Sequence, residues 1–279
     1  MNGLRLPRFA RNDVTFKILF ALSFILFSTY SNAQTLLDSS KLVSEFTVNA
    51  KFVQADELGN LYIVTPSNQL YKYNTLGKVL ATLNFNYNGN ISSVDATNPM
   101  EIYVFYKELN RVLFLDNNLA YRGELDLTKQ NITQASAIAR SYDNGIWIFD
   151  LGDLQLKKMS KEGTVTQSSG NIRQIIKTDF IPNTLLENTK QVMLANDSIA
   201  LLFDVFASYI KTFKFSKTVS FQLNNDYILQ TTDNQLNAVE LKIGINRQVL
   251  QLENKIKWSY LSKDQVYIYK ENKISIYKK

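Results

Sequence analysis

A unit of about 40 residues recurs along this chain, and internal repetition of this kind constrains the fold more than any other feature. The unit is clearest in "FVQADELGNLYIVTPSNQLYKYNTLGKVLATLNF", residues 52–85, where a turn, an apolar run, a second turn and an alternating run follow one another. Residues 92–127 and 137–167 repeat this order, with "EIYVFY" and "IWIF" in the place of "LYIV". Three more divergent copies follow, so the chain contains six.

The spacing of the copies predicts a β-propeller. The second position of each apolar run is occupied by Tyr62, Tyr103, Trp147, Ala200, Ile228 and Tyr267. Successive positions differ by 41, 44, 53, 28 and 39, with a mean of 41. A period near 40 with four short strands per unit is typical of propeller blades. The apolar runs predict the second strand of each blade, which neighbouring blades cover on both sides. Mixed runs such as "RVLFLD", "IKTFKF" and "ISIYKK" predict the third strand.

The two ends of the repeat region predict how the ring closes. The last unit stops one strand short, with strands expected near 257–262, 265–270 and 273–278. A spare strand, "LVSEFTV" at residues 42–48, precedes the first complete unit. Its addition to the last blade would close the ring and remove an exposed sheet edge. We therefore expect an all-β chain that forms a single β-propeller of six four-stranded blades.

The fourth unit is irregular, because the longest and the shortest of these spacings, 53 and 28, lie on either side of it. The segment "GNIRQIIKTDFIPNTLLENTKQ" intervenes there, and no fourth strand is evident after "YIKTFKF". Three interpretations remain open. The blade is incomplete, a strand within residues 172–190 completes it, or the ring has seven blades.

The stretch "DELGNLYIV" followed by "NQLYKYNTLGKV" resembles the repeats of bacterial NHL-type propellers and related WD40-like repeats. The match is clear over residues 52–167 and degenerate over the remainder. The resemblance implies a propeller that serves as a binding platform. It carries over no catalytic residue, because the repeat motif of the family contains none.

The N-terminal residues 1–33 have the pattern of a signal peptide. Four basic residues precede an apolar run at 18–30, and Ser31 and Ala33 occupy the small-residue positions of a cleavage site. This run is short for a membrane span of about 20 residues, which disfavours a retained anchor. Cleavage would remove four basic residues and one acid, which lowers the net charge from +6 to +3. We expect a short linker at 34–41 and the propeller domain at 42–279.

The chain contains no histidine and no cysteine, which excludes many chemistries. Catalytic triads, Cys–His pairs and histidine-ligated metals all require one of these residues. The sequence also lacks a glycine-rich phosphate loop and a compact Lys/Arg tract, so we expect neither a nucleotide nor a nucleic-acid partner. An exported chain without disulfides is typical of a bacterial periplasm, outer membrane or exterior.

Five aspartates near predicted strand ends are the remaining candidates for a metal site: Asp56, Asp95, Asp150, Asp204 and Asp233. Calcium-dependent lactonases on six-bladed propellers use acidic and Asn side chains in this way, without histidine. The first two aspartates precede the apolar strand and the other three follow it, so we expect them to divide between opposite faces. Turn capping explains such a division better than a metal site does.

Aromatic side chains could form a sugar-binding or protein-binding surface. Trp147 lies in the doubly apolar run "IWIF", which predicts a core position. Tyr71 and Tyr73 lie in a more exposed predicted strand, and Trp258 is the second tryptophan.

The sequence thus favours a non-enzymatic, exported β-propeller that acts as a protein–protein interaction module. Its expected role is that of an accessory subunit of a bacterial cell-envelope or outer-membrane assembly, with an envelope protein as partner and no cofactor. The alternatives are a calcium-dependent propeller enzyme such as a sugar-acid lactonase, or a glycan-binding propeller. No catalytic, cofactor-binding, metal-binding or partner-binding residue is assigned.

Overall fold

Six four-stranded antiparallel sheets form the blades of a propeller. The computed structural model describes residues 41–84, 89–252 and 255–279, which lie in one unit, Thr35–Lys279. Within each blade we call the strands A to D, from the channel outward. Blade 1 contains β2 (Phe52–Ala55), β3 (Leu61–Val64), β4 (Leu70–Tyr73) and β5 (Val79–Thr82). Blade 2 contains β6 (Ser93–Asp95), β7 (Glu101–Tyr106), β8 (Arg111–Asp116) and β9 (Tyr121–Asp126).

The other blades follow in chain order, except that blade 6 takes its D strand from the start of the chain. Blade 3 contains β10 (Ala135–Arg140), β11 (Ile146–Asp150), β12 (Gln155–Met159) and β13 (Val165–Ser168). Blade 4 contains β14 (Thr184–Glu187), β15 (Gln191–Ala195), β16 (Ile199–Asp204) and β17 (Tyr209–Lys214). Blade 5 contains β18 (Ser220–Leu223), β19 (Tyr227–Thr231), β20 (Gln235–Glu240) and β21 (Asn246–Gln251). Blade 6 contains β22 (Trp258–Leu261), β23 (Gln265–Lys270), β24 (Lys273–Lys278) and β1 (Leu42–Thr47).

The hydrophobic core lies between the blades, in six clusters that each join two neighbours. Strand β3, the B strand of blade 1, shows why the B-strand sequences are apolar at successive positions. Leu61 and Ile63 belong to the cluster shared with blade 6, whereas Tyr62 and Val64 belong to the cluster shared with blade 2. Because successive side chains alternate in direction, a strand packed on both faces has no polar side.

The ring closes as the sequence predicts. Strand β1 pairs with β24 in antiparallel register, with Glu45 opposite Ser275 and Phe46 opposite Ile274. The Glu45 carboxylate accepts hydrogen bonds from Lys273 Nζ at 2.9 Å and from Ser275 Oγ at 2.8 Å. The pKa of Glu45 is lowered mainly because of the hydrogen bond from Lys273. The predicted six-bladed, all-β propeller is therefore confirmed.

The irregular fourth unit contains a complete blade. Strand β14 lies within residues 172–190, so the second of the three interpretations is correct. The run "IALLFD" is the C strand β16, and "YIKTFK" is the D strand β17, so the predicted placement of both runs one strand earlier is wrong. Both β15 and β16 are largely buried, and apolar character alone does not distinguish B from C strands. The six B strands begin at residues 61, 101, 146, 191, 227 and 265, which is a more regular spacing than that of the six apolar runs chosen from the sequence.

Helical structure in the described ranges is limited to short segments. Helix α1 (Ile172–Ile176) lies in the connection between blades 3 and 4, and 3₁₀ turns span Lys107–Leu109 and Thr128–Gln130. None of the helices in the described part of the chain has the length and apolar character needed to cross a membrane. The predicted signal peptide at 1–33 and all but the last residue of the predicted linker at 34–41 lie outside the described residues.

Candidate functional site

The strand order places two kinds of turn on each face of the propeller. Because the four strands of a blade alternate in direction, the A–B and C–D turns lie on one face, which we call the AB face. The B–C turns and the connections from D to the next A strand lie on the opposite face, which we call the DA face. Loops on a rigid scaffold such as this commonly carry function.

The AB face carries most of the strongly exposed apolar side chains. In the described ranges, seven large apolar side chains are more than half exposed, and six of them lie in turns of the AB face. The A–B turns present Leu58, Met100 and Tyr142, and the C–D turns present Leu76, Phe206 and Ile243. The seventh, Ile181, lies on the DA face. Exposed apolar side chains on the loops of one face make that face the candidate interaction site.

The turns that carry these side chains are held by recurring side-chain hydrogen bonds. Asn74 Oδ1 accepts from the backbone N–H groups of Leu76 at 3.0 Å and Lys78 at 2.9 Å. Asp204 Oδ1 accepts from those of Phe206 at 2.9 Å and Ser208 at 2.8 Å. The same spacing of two and four positions recurs because both side chains begin a C–D turn. Leu76 and Phe206 are therefore presented on fixed backbone, which lowers the ordering cost of binding.

Two of the predicted aspartates cap A–B turns on this face. Asp56 accepts hydrogen bonds from the backbone N–H groups of Leu58 at 3.0 Å and Asn60 at 2.8 Å. Asp95 accepts from the backbone N–H of Thr97 at 2.9 Å, and its second oxygen accepts from the N–H of Arg140 in blade 3 at 2.7 Å. Both carboxylates thus stabilise backbone, as the turn-capping interpretation requires.

The remaining aspartates divide differently from the sequence prediction. Asp150 and Asp233 lie at B–C turns on the DA face, as expected, but Asp204 lies on the AB face because it ends a C strand. Although burial opposes the shift, hydrogen bonds from Lys157 and from the N–H of Gly152 keep the pKa of Asp150 below its usual value. No group of three or more acidic side chains in the described ranges is placed to hold a metal ion.

A polar cluster between blades 3 and 4 supports Tyr142 on the AB face. The Glu187 carboxylate, on blade 4, accepts from Ser141 Oγ at 3.2 Å and from the N–H of Tyr142 at 2.8 Å, both on blade 3. The pKa of Glu187 is raised mainly because its carboxyl group is buried. The Lys158 ammonium lies 5.0 Å from the centre of the Tyr142 ring and donates to Asp143 at 2.6 Å.

Sequence reasoning missed this cluster. Lys158 lies in strand β12, "QLKKM", and a lysine in such a run gives no sign that its side chain is buried. Glu187 lies in the segment whose strand assignment was open.

Trp147, in contrast, is fully buried against neighbouring strands, so its predicted core position is confirmed. Tyr73 stacks on Phe46 of β1 at 5.8 Å and contributes to the packing between blades 6 and 1, with Tyr71 tilted against it. Tyr73 is thus partly committed to packing, and both tyrosines remain only half-buried.

The central channel contains a cavity of about 320 Å³. Residues from the A strands of all six blades line it, because each A strand is the innermost of its blade. Its aromatic lining comes from Phe52, Phe221, Trp258 and Tyr269, and Asp95 is its only carboxylate among the described residues. The two cationic side chains of the lining are Lys51 and Lys257.

Comparison with known proteins supports the fold. No protein-family model and no curated protein sequence matches the chain. Among solved structures, the WD40 β-propeller domain of Doa1 is similar, with 13% identity, coverage of 81% of this chain and 77% of that chain, and a TM-score of 0.55. BamB from Moraxella catarrhalis is 12% identical, with coverage of 79% of this chain and 70% of that chain and a TM-score of 0.47. The predicted resemblance to WD40-like propellers is confirmed at the level of fold, and such distant likeness indicates nothing about activity or partners.

Proposed function

We propose that this protein is a non-enzymatic interaction module whose AB face binds a protein partner. The observation that carries the proposal is the concentration of exposed apolar side chains on that face, which come from blades 1 to 5. Singly exposed apolar residues are common on proteins, so what matters is their distribution, with six of the seven in the described ranges on the AB face. Leucine, methionine and aromatic side chains on fixed turns supply apolar contact area at little conformational cost.

The cluster around Tyr142 strengthens this assignment. Its backbone N–H is bound by Glu187 of the next blade, and its ring lies beside the Lys158 ammonium. A tyrosine held in this way offers a partner both an apolar ring and a hydroxyl group. Aromatic residues with such support are frequent among the side chains that dominate binding energy at protein interfaces.

The cellular role in the proposal rests on the sequence. The signal-peptide pattern at residues 1–33 supports export, and the lack of cysteine supports a bacterial envelope or extracellular location. We therefore propose an accessory role in a cell-envelope or outer-membrane assembly. The lactonase alternative has less support, because both oxygens of Asp95, the channel carboxylate, are already bound to donors of Thr97 and Arg140.

The proposal is tested by lysine crosslinking in the native cell. The last residue lies near the AB face, since the Lys279 N–H donates to Asp264 O at 2.9 Å, so an affinity tag is joined through a long flexible linker. We expect one envelope protein at a ratio near one to one, crosslinked to the AB-face lysines Lys78, Lys190 and Lys263. Crosslinks confined to the DA-face lysines Lys129, Lys177 and Lys217 would contradict the assignment of the face.

A matched pair of variants sharpens this test. The double substitution Leu76→Ser with Phe206→Ser should abolish recovery of the partner and leave the melting temperature nearly unchanged, because both side chains are already about 70% exposed. Ile181→Ser removes a similarly exposed side chain from the DA face and should retain the partner. Equal loss of the partner in both variants would argue against the AB face. If only a second copy of this chain were recovered, the protein would self-associate and the proposal of a different protein partner would be wrong.

A further inference from the structure

The DA-side mouth of the channel is built from equivalent positions in successive blades. In five blades, the residue immediately before the A strand donates its backbone N–H to the end of the B strand and lines the cavity. These N–H···O distances lie between 2.7 and 3.0 Å for Lys51, Ser92, Asn183, Val219 and Lys257. A regular backbone thus brings five residues, two of them lysines, to one opening on the propeller axis.

Two of these side chains are cations on adjacent blades. Lys51 Nζ donates to the backbone oxygen of Ile91 at 3.2 Å. Lys257 Nζ donates to Asn272 Oδ1 at 3.2 Å and lies 5.5 Å from the centre of the Tyr269 ring. No described carboxylate forms an ion pair with either lysine. Both ammonium groups therefore retain charge that an anion at the mouth could neutralise.

The rest of the mouth offers hydroxyl groups and aromatic rings. Ser93, Thr184 and Ser220 line the same cavity, and Ser220 Oγ is buried without a hydrogen-bonding group in reach among the described residues. A buried hydroxyl group without a bond is costly unless a ligand or water satisfies it. Phe52, Phe221 and Trp258 supply apolar surface beside these groups. Asp95, the carboxylate of the lining, ends strand β6 and so lies toward the AB face.

We propose that the DA-side mouth binds a small ring compound with one carboxylate, of the size and polarity of an acidic monosaccharide. Lys51 and Lys257 would exchange their present acceptors, Ile91 O and Asn272 Oδ1, for the carboxylate. The serine and threonine hydroxyls would bind ring hydroxyls, and the aromatic side chains would contact the apolar face of the ring. The cavity of about 320 Å³ suits a ligand of this size, since small-molecule pockets begin near 300 Å³. This site is independent of the proposed protein interface, which lies on the opposite face.

Binding is tested by calorimetric titration of the intact protein with sodium D-glucuronate, D-glucose and inorganic phosphate. We expect glucuronate to bind at least tenfold more tightly than glucose, because a hydrogen bond to a charged group is worth roughly tenfold or more in affinity. It should also bind at least tenfold more tightly than phosphate, which has no ring hydroxyls and no apolar face, and its binding should weaken as salt increases. Absence of glucuronate binding, or equal affinity for glucose, would overturn the proposal. Phosphate binding as tight as that of glucuronate would show a simple anion site and would also overturn it.

Substitutions locate the site. Lys51→Gln with Lys257→Gln should weaken glucuronate binding by tenfold or more at an unchanged melting temperature, and Ser220→Ala should weaken it less. Lys129→Gln removes an exposed lysine from another DA-face connection and should have no effect. Loss of binding in Lys129→Gln, or no loss in the double variant, would contradict the assignment. The Leu76→Ser/Phe206→Ser variant should bind glucuronate normally. The protein interface and the ligand site are therefore tested separately, and one proposal can fail while the other holds.

Discussion

Short polar side chains at the turns determine how firmly each blade presents its loops. Asn74, Asp116 and Asp204 occupy the same position at the start of a C–D turn, and each accepts hydrogen bonds from backbone two and four positions later. Asn and Asp share this role because either carries an oxygen at the required distance from its own backbone. Leu76, two positions after its cap, is exposed, whereas Leu119, three positions after its cap, is buried, so the position within the turn decides which side chain is presented to solvent.

Removal of one of these caps should destabilise the fold modestly. Asp204→Ala should lower the free energy of unfolding by about 1 kcal/mol, because two backbone N–H groups lose their acceptor. Asp204→Asn should stay close to the parent chain, since Asn74 makes the same bonds in blade 1. Urea denaturation measures both. An equal loss in the two variants would show that charge, and not the turn hydrogen bonds, accounts for the effect.

Glu187 should make stability depend on pH. Burial raises its pKa in the folded state, so the folded protein holds this proton more tightly than the unfolded chain does. Its contribution to stability is therefore present at low pH and is lost as pH rises from the ordinary value of 4.5 through the raised pKa. Glu187→Gln should remove this component, so the stability of the parent relative to the variant should fall as pH increases. A difference that is constant from pH 4 to 8 would contradict the burial of this carboxyl group.

At the scale of strands, β1 matters most because it joins the two ends of the repeat region. Phe46 stacks on Tyr73 in blade 1, so β1 completes blade 6 and also contacts the next blade. Gly77, with φ +75°, lies against the Phe46 ring, and a Cβ there would meet side-chain carbons of Phe46 at 2.5 to 2.8 Å. Glycine is therefore required in the "TLGK" turn both for its backbone conformation and for this close approach.

Phe46→Ala should weaken ring closure. We expect a loss of about 2 kcal/mol, less than for a fully buried phenylalanine, because the Phe46 side chain is only half-buried. Hydrogen exchange should then increase in β1 and β24 before it does in blade 3. Val43→Ala on the same strand serves as the control, since Val43 is 48% exposed and should change little. Similar losses in both variants would indicate that β1 contributes through strand propensity and not through its contact with blade 1.

At the scale of the whole molecule, the fold could be predicted because its signals are local. A run such as "LYIV" reports a strand covered on both sides, and the turns around Gly59 and Gly77 mark where strands end. Regular repetition of these signals indicates the propeller. The extra strand predicted at 42–48, beside a last unit that is one strand short, indicates how the ring closes. The sequence does not identify the strands of the fourth unit, because β15 and β16 are both buried and only their partners in the sheet establish which is B and which is C.

The sequence by itself determined the repeat, the closed ring and the chemistry that a chain without histidine or cysteine cannot perform. Only the tertiary structure decided where function could lie. Leu76 and Phe206 belong to different repeats, and Lys51 and Lys257 lie near opposite ends of the propeller sequence, yet each pair belongs to one face or one opening of the ring. Local patterns establish whether a residue lies in a strand or a turn. Strand alternation places the C–D turns of all blades on one face, and the pairing of β1 with β24 makes blades 6 and 1 neighbours, so the residues that share a surface follow from the assembly of the blades.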